Sequence, residues 1–252
     1  MKKYSFIVLL TMVFSLSSNL YAQEGSAKTE ENPINISCSL MSRYIWRGTD
    51  FGASPNIQPG IEYSKSGFKI GAWGAYATNF QGYQESDLYL GYTFYKEMFT
   101  LMVTDYYFQK DTIKQNYFNY KDATTGHVLE ATLMFNGTEN LPLSVMIATN
   151  IYGADAKKIN NDGTIGNNQY STYAELTYSF KYFDMFMGAN LTQADADKGE
   201  TGYYGNSMGI VNLGITATKE IKITNHYELP ITVSIITNPQ ANKIYFVAGL
   251  SF

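Results

Sequence analysis

Apolar and polar positions alternate along most of the chain after residue 33. In the last ten residues, Ile244, Phe246, Ala248, Leu250 and Phe252 fall on one face, and Lys243, Tyr245, Val247, Gly249 and Ser251 on the other. A repeat of two is the period of a β-strand with one face in an apolar medium. Leu88, Leu90, Tyr92 and Phe94 oppose Asp87, Tyr89, Gly91 and Thr93. Leu129, Ala131, Leu133 and Phe135 oppose Glu130, Thr132, Met134 and Asn136. Ala174, Leu176, Tyr178 and Phe180 oppose Tyr173, Glu175, Thr177 and Ser179. The pattern predicts twelve strands, at 34–48, 56–63, 68–78, 85–94, 99–108, 127–136, 143–153, 170–180, 183–193, 207–218, 230–238 and 243–252. Asp105 interrupts the fifth, whose faces stay unassigned.

A soluble sandwich also alternates, so the rest of the chain must decide. Met1-Lys2-Lys3, an apolar core from Ser5 to Leu16, and Leu20-Tyr21-Ala22 form a secretory signal peptide with cleavage after Ala22. No later run is long and apolar enough for a membrane helix, which needs about 20 residues. The predicted organisation is a signal peptide at 1–22, a polar leader at 23–33 and one β-domain at 34–252. Charged residues are 16% of the chain and aromatic residues 15%. Low charge with high aromatic content and no apolar block fits a barrel whose lipid face occupies alternate residues. Short links near 64–67, 95–98 and 181–182 alternate with long polar links near 109–126, 154–169 and 194–206, as periplasmic turns and outer loops would. The link at 219–229 is too long for that scheme. Residues 141–150 and 229–238 share a Leu-Pro start and an Asn end, and each reads as an ascending strand. The predicted fold is all-β, a transmembrane antiparallel up-and-down barrel of about twelve strands.

Net charge of −4, or −6 without Lys2 and Lys3, argues against nucleic acid as a partner. Cys38 is the sole cysteine and faces lipid in this register. Arg43 and Arg47 are the only arginines. At a spacing of four they share a strand face, which places both in the lumen and Trp46 near the outer membrane interface. Glu62, Asp87, Glu130 and Glu175 fall on inward faces, joined by Lys69. Buried arginines need acidic partners. Two readings stay open: an interior ion-pair network that holds the barrel, or a charged constriction that selects solutes.

The segments Ser42-Arg43-Tyr44-Ile45-Trp46-Arg47-Gly48, Gln58-Pro59-Gly60-Ile61-Glu62-Tyr63, Gly67-Phe68, Gly71-Ala72-Trp73 and Glu85-Ser86-Asp87-Leu88-Tyr89-Leu90-Gly91-Tyr92 resemble the TorF family of porins. The resemblance covers residues 40–95. It implies an outer-membrane barrel with pore activity and transfers no catalytic residue. Thr49-Asp50-Phe51 departs from the usual continuation.

Catalysis has little support. His127 and His226 are the only histidines, and neither has a nearby serine in a recognisable arrangement. Asn160-Asn161-Asp162-Gly163 resembles a calcium loop, but Lys158 and Gln169 break its ligand pattern. Asp195 and Asp197 read as solvated loop acids. No metal and no cofactor is expected. The expected function is a channel for passive diffusion of small hydrophilic solutes. The alternatives are a non-conducting structural or surface-binding barrel and, third, a lipid-modifying enzyme. The expected partners are outer-membrane lipid, lipopolysaccharide and the barrel assembly machinery, which would engage the strand ending in Phe252. The loop at 109–126 carries Tyr117, Phe118 and Tyr120 among lysines and is expected outside the lumen.

Overall fold

The computed structural model describes residues 32–52, 54–79, 84–109, 116–122 and 124–252. The signal peptide and most of the leader lie outside the described residues. Twelve antiparallel strands close into a barrel. They are β1 (Ile34–Met41), β4 (Asn56–Lys65), β5 (Phe68–Ala77), β6 (Gln84–Phe94), β7 (Phe99–Gln109), β8 (His127–Phe135), β9 (Leu143–Gly153), β12 (Thr172–Ser179), β13 (Asp184–Asn190), β14 (Gly209–Lys222), β15 (Glu228–Asn238) and β16 (Lys243–Ser251). Each pairs with the next in sequence, and β16 returns to β1 with Leu250 opposite Leu40. The seam joins Ser39–Met41 to Gly249–Ser251, and closing a sheet on itself is how strands cross lipid with their backbone groups satisfied. No described helix is long and apolar enough to cross a membrane.

The alternation sorts side chains as the sequence requires. Ile36, Ile61, Ile70, Leu90, Leu101, Leu133, Ile147 and Ile235 stand exposed on the outer wall. Their strand neighbours Ser39, Gln58, Thr104, Thr132, Thr216 and Ser234 are buried inside. An outer wall of Leu and Ile is unfavourable in water and favourable against hydrocarbon. At the turn end, Phe94, Phe99 and Phe135 form a row with centroids 5.9 and 5.5 Å apart. Phe180 sits between Tyr178 and Phe183 at 4.7 and 4.8 Å. Aromatic rows at this position are the girdle of a membrane barrel.

Three expectations need correction. The first strand does not run to residue 48. It stops at Met41, and Tyr44–Trp46 (β2) pairs instead with Thr49–Gly52 (β3) as a separate hairpin. Arg47 (φ 48°) and Gly48 (φ 76°) form its two-residue turn, and both positive angles suit the twist of a tight hairpin. Trp46 is therefore not at the outer membrane interface but buried inside the barrel, with Tyr44 packed against the same cluster. The long link at 219–229 is mostly strand. β14 and β15 extend past their neighbours to the pair Lys222–Glu228, which leaves a short turn at 223–227. Both members of the Leu-Pro repeat ascend, as β9 and β15.

Candidate functional site

The hairpin β2–β3 turns into the lumen and is packed on both faces. On one side Trp46 and Phe51 join Tyr106, Phe108, Val128, Tyr173, Tyr203, Tyr204 and Val211. On the other, Ile45 and Met41 meet Phe186, Ile236 and Val247. The tip docks against a bulge in β14, where Val211 is the extra residue between the pairs Asn212–Gly188 and Ile210–Ala189. A Cβ on Gly48 would lie 1.9 Å from the Val211 carbonyl oxygen, so only glycine fits. Asn238 Nδ2 donates to the Gly48 carbonyl at 3.2 Å.

Arg47 occupies the centre of this cluster. Its Nη1 and Nη2 donate to Glu130 Oε2 and Oε1 at 2.5 and 2.9 Å, a bidentate pair between side chains 3% and 0% exposed. Nη1 also donates to the Tyr204 hydroxyl at 2.6 Å. The guanidinium lies 4.5 Å from the Trp46 ring, 4.7 Å from Tyr173 and 5.2 Å from Tyr204. Glu130 accepts further bonds from Tyr204, Tyr106 and Thr132 at 2.7, 3.1 and 3.0 Å. Removing either member of so enclosed a pair costs about 3–5 kcal/mol, because the other charge stays buried without compensation.

The outer loops hold the plug from above. Residues 191–208 fold inward so that Tyr203 and Tyr204 reach the cluster. Asn190 Nδ2 anchors the loop through the carbonyls of Thr192, Gly205 and Ser207 at 2.9, 2.8 and 2.9 Å. Glu200 ties this loop to the small hairpin of Lys157–Ile159 (β10) and Ile165–Asn168 (β11), accepting from the N–H groups of Asp195 and Ile159 at 2.9 Å each. Those donors, with Lys158 at 3.3 Å, hold the Glu200 carboxyl below the usual carboxylate range.

The other predicted lumen residues all face inward but do not form one ring. Arg43 pairs with Asp50 across the hairpin at 2.9 Å and stays part-exposed. Glu175 accepts from Tyr173 and from Asn212 Nδ2, the latter at 2.9 Å, on the wall beside Arg47. Glu62 accepts from the Tyr89 hydroxyl at 3.0 Å, farther toward the turn end. Lys69 lies beside Gly91. Asp87 and its neighbour Glu85 are buried on β6. Below the hairpin is a cavity of about 120 Å³, with Gln58, Thr216, Thr232, Ser234 and Ser251 in its lining.

Glu85, Tyr106, Tyr173 and Tyr204 join these groups without a local motif that marks them as site residues. The nearest to one is Tyr203-Tyr204, an aromatic pair inside a polar loop. His127 lies on the outer wall at the loop end. Its Nδ1 meets Asp105 Oδ1 at 2.8 Å and its Nε2 meets the Tyr117 carbonyl at 2.6 Å. Tyr107, Tyr117 and Tyr120 enclose the ring at 4.5, 5.0 and 4.0 Å, so the described part of loop 110–126 folds over the outside of the wall. Among the described residues no three His, Cys, Asp or Glu side chains are grouped to hold a metal ion.

A family model described as "Bacterial protein of unknown function (Gcw_chp)" matches residues 26–227. No curated protein matches the chain. Among solved structures, the KdgM porin aligns with a TM-score of 0.44 at 10% identity, covering 86% of this chain and 97% of its own. The COG4313 outer membrane channel from Pseudomonas putida F1 aligns with a TM-score of 0.41 at 12% identity, covering 91% and 98%.

Proposed function

The chain belongs to the Gcw_chp family of bacterial proteins of unknown function, and we propose that it is an outer-membrane channel for small hydrophilic solutes, held shut in this conformation by its own hairpin. The observation that carries the proposal is the wall beneath the plug. Gln58, Thr216, Thr232, Ser234 and Ser251 put amide and hydroxyl groups into the lining of the cavity, beside Met41, Ile45, Trp73, Ile236 and Val247. The wall keeps this polar lining by bonding it to itself, Ser39 with Ser251 at 3.0 Å, Thr216 with Ser234 at 2.8 Å and Thr218 with Thr232 at 2.9 Å, where a barrel filled only for stability would pack apolar side chains. The outer wall of Leu and Ile supports residence in the outer membrane, with lipid and lipopolysaccharide around it. Assembly by way of the strand ending in Phe252, and kinship with the TorF porins through Tyr44-Ile45-Trp46-Arg47-Gly48, belong to the same reading. No catalytic residue is assigned.

A second reading has its own observation. The Arg47–Glu130 pair and the rings around it are as enclosed as a protein core, which favours a permanently closed, structural barrel. Liposome swelling separates the two. Vesicles containing a variant with residues 44–52 replaced by a short Gly-Ser link should swell in small sugars faster than those with the intact chain. A folded variant that admits no solute would favour the structural barrel.

A further inference from the structure

We propose that the wall around Arg47 is a binding site for guanidinium and other compact organic cations, which the hairpin's own arginine occupies as a tethered stand-in. Everything that recognises the guanidinium, apart from Trp46, comes from outside the hairpin. Glu130 on β8 supplies a bidentate carboxylate at 2.5 and 2.9 Å. Tyr173 on β12 and Tyr204 on the inward loop supply ring faces at 4.7 and 5.2 Å. The Tyr204 hydroxyl accepts an Nη1 bond at 2.6 Å. A dry carboxylate framed by aromatic faces attracts a planar cation and rejects anions and neutral amides, which lack the charge both elements require. The carboxylate is positioned independently of the hairpin, by bonds from Tyr106 and Thr132 on the wall.

The tether fits the site incompletely. Arg47 Nε–H is buried without a partner. The residue also carries φ 48°, a left-handed conformation that a side-chain-bearing residue adopts at a cost. A free cation would make the same contacts without that backbone, so it can compete with the hairpin tip. Binding stands on this geometry. That the bound cation opens a path, and so is the favoured solute, rests on the channel reading above.

The test uses the full mature chain refolded in detergent. Arg47→Ala empties the cage, and methylguanidinium is the probe, with urea and sodium chloride as the neutral and ionic controls. Methylguanidinium should recover, saturably, most of the unfolding midpoint lost in Arg47→Ala, and adding Glu130→Gln should abolish the recovery. Equal recovery by urea or sodium chloride, or none in a folded variant, would overturn the proposal. If Arg47→Ala does not fold, Trp73→Phe leaves Trp46 as the sole tryptophan. Its emission should then shift saturably with methylguanidinium, and a flat titration would count against the site. Saturable binding without any change in wild-type conductance would keep the site and remove the claim that the cation opens a path.

Discussion

Gly48→Ala is the sharpest perturbation of the plug. Two effects act at this residue. An alanine at φ 76° pays for a left-handed backbone, roughly 1–2 kcal/mol. Its Cβ would also sit 1.9 Å from the Val211 carbonyl oxygen, where real Cβ contacts do not fall below 3.0 Å, so the tip must retreat by about 1.1 Å. The neighbouring residue is Arg47, whose bidentate pair does not survive such a shift, at a further cost of about 3–5 kcal/mol. The wall is a closed, hydrogen-bonded barrel, whereas the hairpin's chain connections to it are the two peptide segments on either side of 44–52. Expulsion of the hairpin therefore costs less than deformation of β14. Gly199→Ala is the control, because it has the same φ of 76° with nothing within 4 Å of its Cβ. Limited proteolysis at Arg43 and Arg47 reads the outcome. Gly48→Ala should be cut in the hairpin while wild type and Gly199→Ala resist. Protection in Gly48→Ala equal to that of the control would refute the docking argument.

Glu130→Gln should destabilise the barrel by about 3–5 kcal/mol in reversible urea unfolding, and Arg47→Met in the same chain should recover part of that loss, since it removes the stranded charge; a double variant weaker than either single one would contradict this. Leu90→Arg, on the outer wall midway along β6 at 48% exposure, should cost about 2–4 kcal/mol when folding is measured in bilayers, and a cost near zero would place that face in water. The Glu200 carboxyl is held below the ordinary range in the folded chain, so its contribution is complete above the usual glutamate value and disappears as pH falls through the lowered one. Hydrogen exchange at the Asp195 and Ile159 amides should accelerate across that acidic window, after correction for intrinsic rates, and Glu200→Gln should remove the pH dependence; protection that stays flat in the wild type would contradict it.

The barrel wall was legible because period two is a local property. Once Leu88, Leu90 and Tyr92 point to lipid, Asp87 and Tyr89 must point inward, and the same parity placed Glu62, Lys69, Glu130 and Glu175. Arg47 was placed in the lumen by the same parity applied to a strand that does not exist. Apolar residues occupy the even positions from Ile34 through Trp46 with Ser42 as the one exception, and so slight a break hides the bend at Ser42-Arg43. The turn was written only in Gly48, and a glycine in a strand-like run is also compatible with a bulge. The partners of Arg47 were beyond local reading. Glu130 lies 83 residues away and Tyr204 lies 157 away. Their meeting depends on strand register, on the Val211 bulge and on a loop that folds inward, and no short window carries those. Trp46 shows the cost: its apolar bulk suits an interface or a core, and only the hairpin decides for the core.

Single-channel current in planar bilayers tests the central claim most directly. The intact chain should rest closed with rare openings, and the chain with residues 44–52 replaced by a short link should show steady, larger steps under the same voltage. Silence from both proteins, when each is folded and inserted, would contradict a solute path behind the hairpin.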